Sequence, residues 1–381
     1  MIHLRTKCRK MRVQCVAGGT ARLAAAAGDA ARMRAWRLHA YGALGELRLE
    51  EARVPPLRAP DDVLVRVAAS SLNPLDVAMV GGYGARALNA LRALEGAEGV
   101  EFPLVAGRDF AGTVARAGPA ARLRPGARVW GVVPPHRQGA HAEYVVVKDE
   151  WAGPAPATLD TAAAGGALYA ALTACALLRA AGLGAARPGA GGAAPRVLLL
   201  GLGGVGQAAL QLLAATTSLD RSPVRRGSRG SSPDRYDVIL DCAGLGGEEA
   251  GARRWRFGRY VTLSTPLLRH MDARGVPAGA LCGAAALLAQ SARAAAAAPT
   301  SPPPPPHVRW AYFAPSAADF GVAVERVFPW WEGGAAYERA ARGGARGKLV
   351  LDFTAVPPPG TLAGTLAGTP AGTLTDTTPQ R

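Results

Sequence analysis

Between residues 196 and 213 the chain reads RVLLLGLGGVGQAALQLL, an apolar run, a glycine cluster and then apolar residues at helical spacing. Gly201, Gly203 and Gly206 form GxGxxG within it. The first glycine permits a tight turn, the second lets backbone approach a pyrophosphate, and the third lets the helix pack closely on the strand. The helix, starting near Val205, then offers free N–H groups and a positive dipole end to phosphate. Val197 to Leu200 before the turn, and Leu210, Leu212 and Leu213 after it, supply the strand–turn–helix context that the motif requires. We therefore read a nucleotide-binding turn rather than a plain strand-to-helix connection. The cysteines carry a different message. Cys8, Cys15, Cys175, Cys242 and Cys282 are odd in number and lack CxxC spacing, which argues against a disulfide framework or a structural zinc and for reduced thiols.

The elements that must hold this turn follow from the rest of the chain. At 381 residues it has material for about two domains. Its long apolar runs are alanine-rich and broken by Gly, Pro or Arg, so none reads as a transmembrane helix and a soluble protein is expected. Much of the net charge of +16 sits at the amino end, where residues 1–37 hold nine Lys or Arg against the single acid Asp29. Such a leader, over residues 1–32, resembles a mitochondrial presequence, with a disordered basic tail as the alternative. The clusters Arg221 to Arg235 and Arg253 to Arg259 read as solvated faces, and nucleic acid is not an expected partner.

From Met33 to about residue 160 the pattern is of many short strands. MRAWRLHAYG and LRLEEARVPP make two of them, Val63, Val65 and Val67 alternate in a third, and Asn73-Pro74 closes that strand with a turn. FPLVAGRDFAGTVARAG, LRPGARVWGVV and GAHAEYVVVKDEWAGPAP add further short β runs, so this part is a compact β-rich module. From Thr161 the texture becomes helical and leads to the glycine turn. DRYDVILDCAGLGG and GRYVTLSTPLL then read as strands of a parallel sheet whose carboxyl ends approach a cofactor. Residues 294–306 are low-complexity and read as an exposed excursion. RWAYF and KLVLDF read as closing strands, and residues 355–381 as a disordered tail.

Several blocks together resemble the medium-chain dehydrogenase/reductase superfamily in its zinc-free quinone oxidoreductase branch. They are AASSLNPLDVAMVGGYGARALN, EFPLVAGRDFAGTV, VWGVVPPHRQGAHAEYVVV, YVTLSTPLL, VRWAYF and GARGKLVLDF. The resemblance covers about residues 33–216 and 236–354. It implies an α/β fold with a GroES-like β-rich catalytic domain over residues 33–160 and 315–354. A Rossmann-type doubly wound parallel sheet would occupy residues 161–314. It further implies NADPH as cofactor, a quinone or conjugated enone as substrate, mitochondrial residence, a link to ubiquinone synthesis and a protein partner of the reticulon type. Peripheral membrane association and oligomeric state stay open.

Zinc-dependent relatives place a Cys near Asn73 and a His where this chain has Arg108 in GRD. Arginine cannot ligate zinc, so hydride transfer without a metal remains. That chemistry needs a dry site with a hydrogen-bond donor for the acceptor oxygen. By resemblance the donors are Tyr83 and Asn73 in NPLDVAMVGGYG, each with a plain turn-forming or edge-covering role as alternative. Asp109 is expected to hold the GRD turn rather than act as a base. Cofactor contacts carried over the same way are Gly203, Gly204 and Val205 at the turn, flanked by Gly201 and Gly206. Leu263 in YVTLSTP, Ala311 and Phe313 in RWAYF, and Gly344, Ala345 and Arg346 in GARGK complete them. Cys242 stands near the cofactor or in ordinary core. Arg346 could pair with a phosphate or be a surface residue.

The chain departs from the family after Leu213. AATTSLDRSPVRRGSRGSSPDRYDVIL is too short for a second βαβ unit and carries no apolar strand before Arg225 and Arg226, so it reads as a basic loop. The parallel sheet is then short of one or two strands, including the one that recognises the adenosine ribose. A second contraction falls between Ala314 and Phe328. The alternatives to a quinone reductase are an enoyl-thioester reductase and an interaction protein that keeps the fold with impaired cofactor binding.

Overall fold

The computed structural model describes residues 31–95, 101–183, 195–216, 235–252, 256–297, 307–310 and 323–361. The chain divides into a unit of residues 1–31 and a second from Arg32 onward, to which the described architecture belongs. The basic leader over residues 1–30, the loop over 217–234 and the tail beyond 361 lie outside the described residues.

Strands β1 (Arg32–Leu38) and β2 (Leu47–Arg53) form an antiparallel pair, joined later by β4 (Leu104–Val105). The main sheet of this lobe is built on β3 (Asp62–Leu72), β5 (Asp109–Ala117), β6 (Arg128–Val132), β7 (Tyr144–Lys148) and β8 (Ala152–Pro154). Late strands β13 (Val324–Pro329) and β14 (Lys348–Asp352) complete it, so the chain returns to its beginning after building the other lobe. The alternation of Val63, Val65 and Val67 buries all three, at 0–3% exposure, against Phe110 and Val145. Each such side chain contributes about 1.5–3 kcal/mol. Helices α1 (Pro74–Val80) and α2 (Ala85–Leu94) follow β3, and α8 (Gly333–Ala341) precedes β14.

One expectation fails at Asn73-Pro74. The pair does not make a plain turn: Pro74 is the first residue of α1, where a missing N–H costs nothing and its fixed φ suits a helix. Asp76 reaches back to accept from the Asn73 N–H at 2.7 Å, which fixes the helix start.

The second lobe is a four-stranded parallel sheet in the order β12 (His307–Trp310), β11 (Arg256–Thr262), β10 (Arg235–Asp241), β9 (Val197–Leu200). Helices α4 (Gly204–Thr216), α5 (Glu248–Ala252), α6 (Leu267–Arg274) and α7 (Val276–Ala297) accompany it. Among the described residues β9 stands at the sheet edge, and the stretch in which the outer strands are expected to be missing, 217–234, lies outside them. The low-complexity excursion expected over 294–306 needs correction at its start. Residues 294–297 complete α7, and Ala294 is only 1% exposed in the core beside Ile239 and Tyr260. An alanine run keeps helical propensity wherever a buried face holds it.

Between the two sheets runs α3 (Thr161–Ala181). Asp160 caps it by accepting from Ala163 N at 2.7 Å, and Gly182 ends it at φ +76°. It is long and apolar enough to cross a membrane, yet thirteen of its 21 residues are buried in the protein. Its small side chains explain the position: a Cβ added at Gly165 would fall 2.7 Å from Ala69 Cβ on β3. The same helix packs Leu177, Leu178 and Ala181 against Val238 and Val261 of the other sheet.

Candidate active site

The glycine turn connects β9 to α4. Gly201 adopts φ +88°, and a Cβ on Gly206 would lie 2.0 Å from the Gly201 carbonyl oxygen. The first and third glycines are therefore fixed by backbone geometry. A Cβ built on Gly203 meets nothing within 4 Å, so the middle of the turn opens onto free space. The first-turn N–H groups of α4, from Gly204 and Val205 onward, have no intrahelical acceptor. Open space bordered by such groups fits a pyrophosphate. On the outer side of β9, where the doubly wound fold places the ribose-recognising strand, no strand pairs among the described residues.

Two loops complete the rim. The Gln207 amide donates to the carbonyls of Leu202 at 3.0 Å and Arg346 at 3.1 Å, fastening the glycine turn to the GARGK loop. Gly344, Ala345 and Arg346 thus stand beside the turn, and the Arg346 side chain is exposed. The other loop follows β10. Its organiser is Asp241, fully buried, which accepts from Ala243, Leu245 and Gly246 N–H at 2.8–3.1 Å and from the Thr262 hydroxyl at 2.7 Å. Sequence reading missed Asp241, although an acid closing an apolar strand before AGLGG is a signal for such a loop. Cys242 packs beside Leu199, Leu212 and Ala209. Burial pushes its thiol up to about 12, so it stays protonated. Leu263 packs, half-buried, on the same core as Val261. Ala311 and Phe313 lie outside the described residues.

The catalytic lobe meets this rim at the NPLDVAMVGGYG segment. Tyr83 stands between Gly82 at φ +82° and Gly84 at φ +80°, and its hydroxyl donates to the Thr265 carbonyl at 3.4 Å. Thr265 follows β11 at the carboxyl edge of the parallel sheet, so an aromatic hydroxyl from one lobe stands at the mouth of the other.

Asn73 points elsewhere. It is 2% exposed, its Oδ1 accepts from Lys348 Nζ at 2.6 Å, and its Nδ2 lies 3.5 Å from Asp109 Oδ2. Both polar atoms are committed to the interior, so its work is to anchor the start of α1 and not to meet an acceptor oxygen. Asp109, expected to hold the GRD turn, ties its carboxylate to β3 instead. It accepts from the Ser71 N–H at 2.9 Å and the Ser71 hydroxyl at 2.6 Å. Burial raises its carboxyl above the usual range, against the pull of Lys348 3.9 Å away.

Two further buried groups escaped the sequence. His141 Nε2 faces the Ser71 carbonyl at 3.1 Å and Nδ1 faces the Tyr337 hydroxyl at 3.0 Å. A carbonyl can only accept, so Nε2 carries the proton and Nδ1 accepts from Tyr337. Burial lowers this imidazole to about 4, which keeps it neutral. Lys348, in GARGK, is buried too, and a Cβ on Gly204 would meet its Cδ at 3.2 Å. Its stem therefore runs under the glycine turn while its ammonium holds Asn73.

Arg108, in GRD, is held in the interior. It is 1% exposed and donates to the carbonyls of Val105, Pro134, Pro135 and Arg137 at 3.0–3.3 Å. Its Nε stands 3.7 Å from Asp76 Oδ1. Burial lowers its pKa and the Asp76 charge opposes that shift. A guanidinium tied to four carbonyls holds the loop by hydrogen bonds.

Comparison with known proteins agrees with this geometry. The alcohol dehydrogenase GroES-like domain matches residues 59–157. A quinone oxidoreductase from Coxiella burnetii shares the fold, with TM-score 0.59 and 20% identity, covering 85% of this chain and all of that one. The human mitochondrial NAD(P)H oxidoreductase RTN4IP1 is 32% identical, over 84% of this chain and 89% of its own length. The Drosophila melanogaster protein of the same name is 35% identical, over 85% of this chain and 87% of its own. With a glycine turn after β9, a tyrosine hydroxyl at the carboxyl edge of the same parallel sheet and this degree of likeness along most of its length, the chain belongs to the mitochondrial RTN4IP1 family of NAD(P)H oxidoreductases, in the medium-chain dehydrogenase/reductase superfamily.

Proposed function

We propose that this chain is an NADPH-dependent reductase of quinones or α,β-unsaturated carbonyls that works without a metal ion. The observation that carries the reading is Tyr83, whose hydroxyl lies 3.4 Å from the Thr265 carbonyl at the carboxyl edge of the parallel sheet. The reduced nicotinamide, when bound, supplies the hydride. Gly203, Gly204 and Val205 would hold the pyrophosphate through backbone N–H groups, with Gly201 and Gly206 shaping the turn. Gly344 to Arg346 would close over it, and the exposed Arg346 would pair with a phosphate. Leu263 and, by resemblance, Ala311 and Phe313 would exclude water. Tyr83 would turn its single O–H from the Thr265 carbonyl to the acceptor oxygen as negative charge builds there, a role worth about 10²–10³ in rate at comparable sites. A supply role in ubiquinone synthesis and a reticulon-type partner are finer parts of the same proposal.

The test is direct. Purified protein with NADPH and a soluble quinone is expected to oxidise the coenzyme, and Tyr83→Phe is expected to lower kcat by roughly 10²-fold. Absence of NADPH binding at millimolar coenzyme in a fluorescence titration overturns the reading. Rates on a trans-enoyl thioester and on a quinone separate the two substrate classes. One observation favours a second reading. The edge position of β9 among the described residues leaves the adenosine side thin, as in an interaction protein with impaired coenzyme binding. A coenzyme that binds the folded state must raise Tm, so a Tm unmoved by NADPH selects that second reading.

A further inference from the structure

The segment that carries Tyr83 is held from the opposite lobe. Asp272, on α6, accepts from the Gly84 N–H at 2.7 Å through Oδ2 and from the Arg86 N–H at 3.1 Å through Oδ1. Both amides belong to the amino end of α2, whose first N–H groups have no acceptor within the helix. The local cap position offers none either, because it is occupied by Gly84 at φ +80°, a residue without a side chain. The helix therefore takes its capping oxygen from a residue more than 180 positions further along the chain. A carboxylate suits that place, since it meets the positive end of the dipole as well as two donors.

Packing runs along the same line. A Cβ on Gly84 would meet Leu268 Cδ1 at 3.3 Å, and the Tyr83 hydroxyl rests on the Thr265 carbonyl. Residues 83–86 are thus tied to residues 265–272 at both ends, by a hydroxyl at one and a carboxylate at the other. α6 itself buries none of its residues completely, so the tie spans two surfaces and is not part of a core.

We propose that Asp272 is the positioning residue for Tyr83: by capping α2 across the cleft, it fixes the tyrosine hydroxyl over the coenzyme crevice. The proposal rests on the reading of Tyr83 as donor. Its physical content is a distance. A donor misplaced by about an ångström can lose on the order of 10²-fold in rate, while one cap on a surface helix adds little to global stability. Rate and stability are therefore expected to separate.

The experiment is a double-mutant cycle on the full chain, read by kinetics and by residue-resolved amide exchange. Asp272→Ala is expected to lower kcat by roughly 10- to 100-fold, with KM for NADPH within about twofold and Tm nearly unchanged. Asp272→Asn keeps one acceptor oxygen and is expected to fall between. In a Tyr83→Phe background, Asp272→Ala is expected to add no further loss, because the group it positions is gone. The Gly84 and Arg86 amides are expected to exchange faster in Asp272→Ala while those of β3 do not. Losses that multiply in the double variant, or unchanged exchange at Gly84 and Arg86, overturn the proposal. A Tyr83→Phe variant with full kcat overturns the donor reading and the positioning role with it. That failure is told apart from failure of the cap by amide exchange, which reads Asp272 directly.

Discussion

The two lobes bury their polar groups differently. In the catalytic lobe Asn73, Asp109, His141, Tyr337 and Lys348 are all buried, and their hydrogen bonds join residues from 36 to 275 positions apart. In the coenzyme lobe the buried carboxylate of Asp241 takes its partners from the next five residues and from Thr262 on the adjacent strand. The first pattern cross-links β3, β5, α8 and β14 into one body. The second shapes a single loop. The lesson is that the donor side of the site is fixed by residues from the whole catalytic lobe, whereas the loop after β10 on the coenzyme side is organised around one carboxylate.

Removing one partner from the cross-linked network is the severest way to break this contrast. Lys348→Met is expected to destabilise the protein by about 3–5 kcal/mol, because it leaves Asp109 buried without its counter-charge. Equilibrium unfolding in urea measures it. A loss under 1 kcal/mol would mean that the network carries no more than the local bonds around Asp241.

Acid probes the same network through His141. Its folded pKa, about 4, lies below the ordinary value of 6.5 because burial disfavours the charged ring. Between these values the unfolded chain binds the proton and the folded chain does not, so stability is complete above pH 6.5 and is lost as pH falls toward 4. The loss attributable to this ring is roughly 3 kcal/mol. Unfolding in urea at pH 7 and pH 4.5 checks it, and His141→Asn is expected to flatten the slope between them.

A local lesion in the other lobe should act on binding and leave the catalytic lobe alone. Gly206→Ala puts a Cβ 2.0 Å from the Gly201 oxygen, so the turn must open. NADPH affinity is expected to fall at least tenfold, about 1.4 kcal/mol, by fluorescence titration. Amide protection in β3 and β5 is expected to stay as it was.

The same contrast explains what the sequence made legible. The glycine turn, the alternation of Val63, Val65 and Val67 and the apolar run of β9 are local patterns, and local patterns can be read from spacing. His141 and Lys348 reveal themselves through partners 70 to 275 residues away, so GAHAEY and GARGK look like ordinary strand edges. Ser70 and Ser71, both fully buried at the end of an apolar strand, were the available hint that polar partners converge there. Asn73-Pro74 reads as a turn because a helix-starting proline and a turn proline look alike in sequence, and only the Asp76 side chain reaching back to Asn73 N–H tells them apart. The alanines after residue 293 were misread for the converse reason: low complexity signals exposure only where no core lies beside it.

The mildest test concerns leucines that this core leaves out. Leu281 and Leu288 are seven residues apart on one face of α7 and are 74% and 71% exposed. Their neighbour Leu287 packs instead against the core around Ile239, Tyr260 and Val308. If the coenzyme lobe is held by such separate local contacts, Leu281→Ser and Leu288→Ser each change stability by no more than about 0.5 kcal/mol. Leu287→Ala should cost more, on the order of 2 kcal/mol, because it leaves a cavity. Equal costs at all three positions would mean that the outer face of α7 is as covered as its inner one, and the lobe could no longer be described as the sparser of the two.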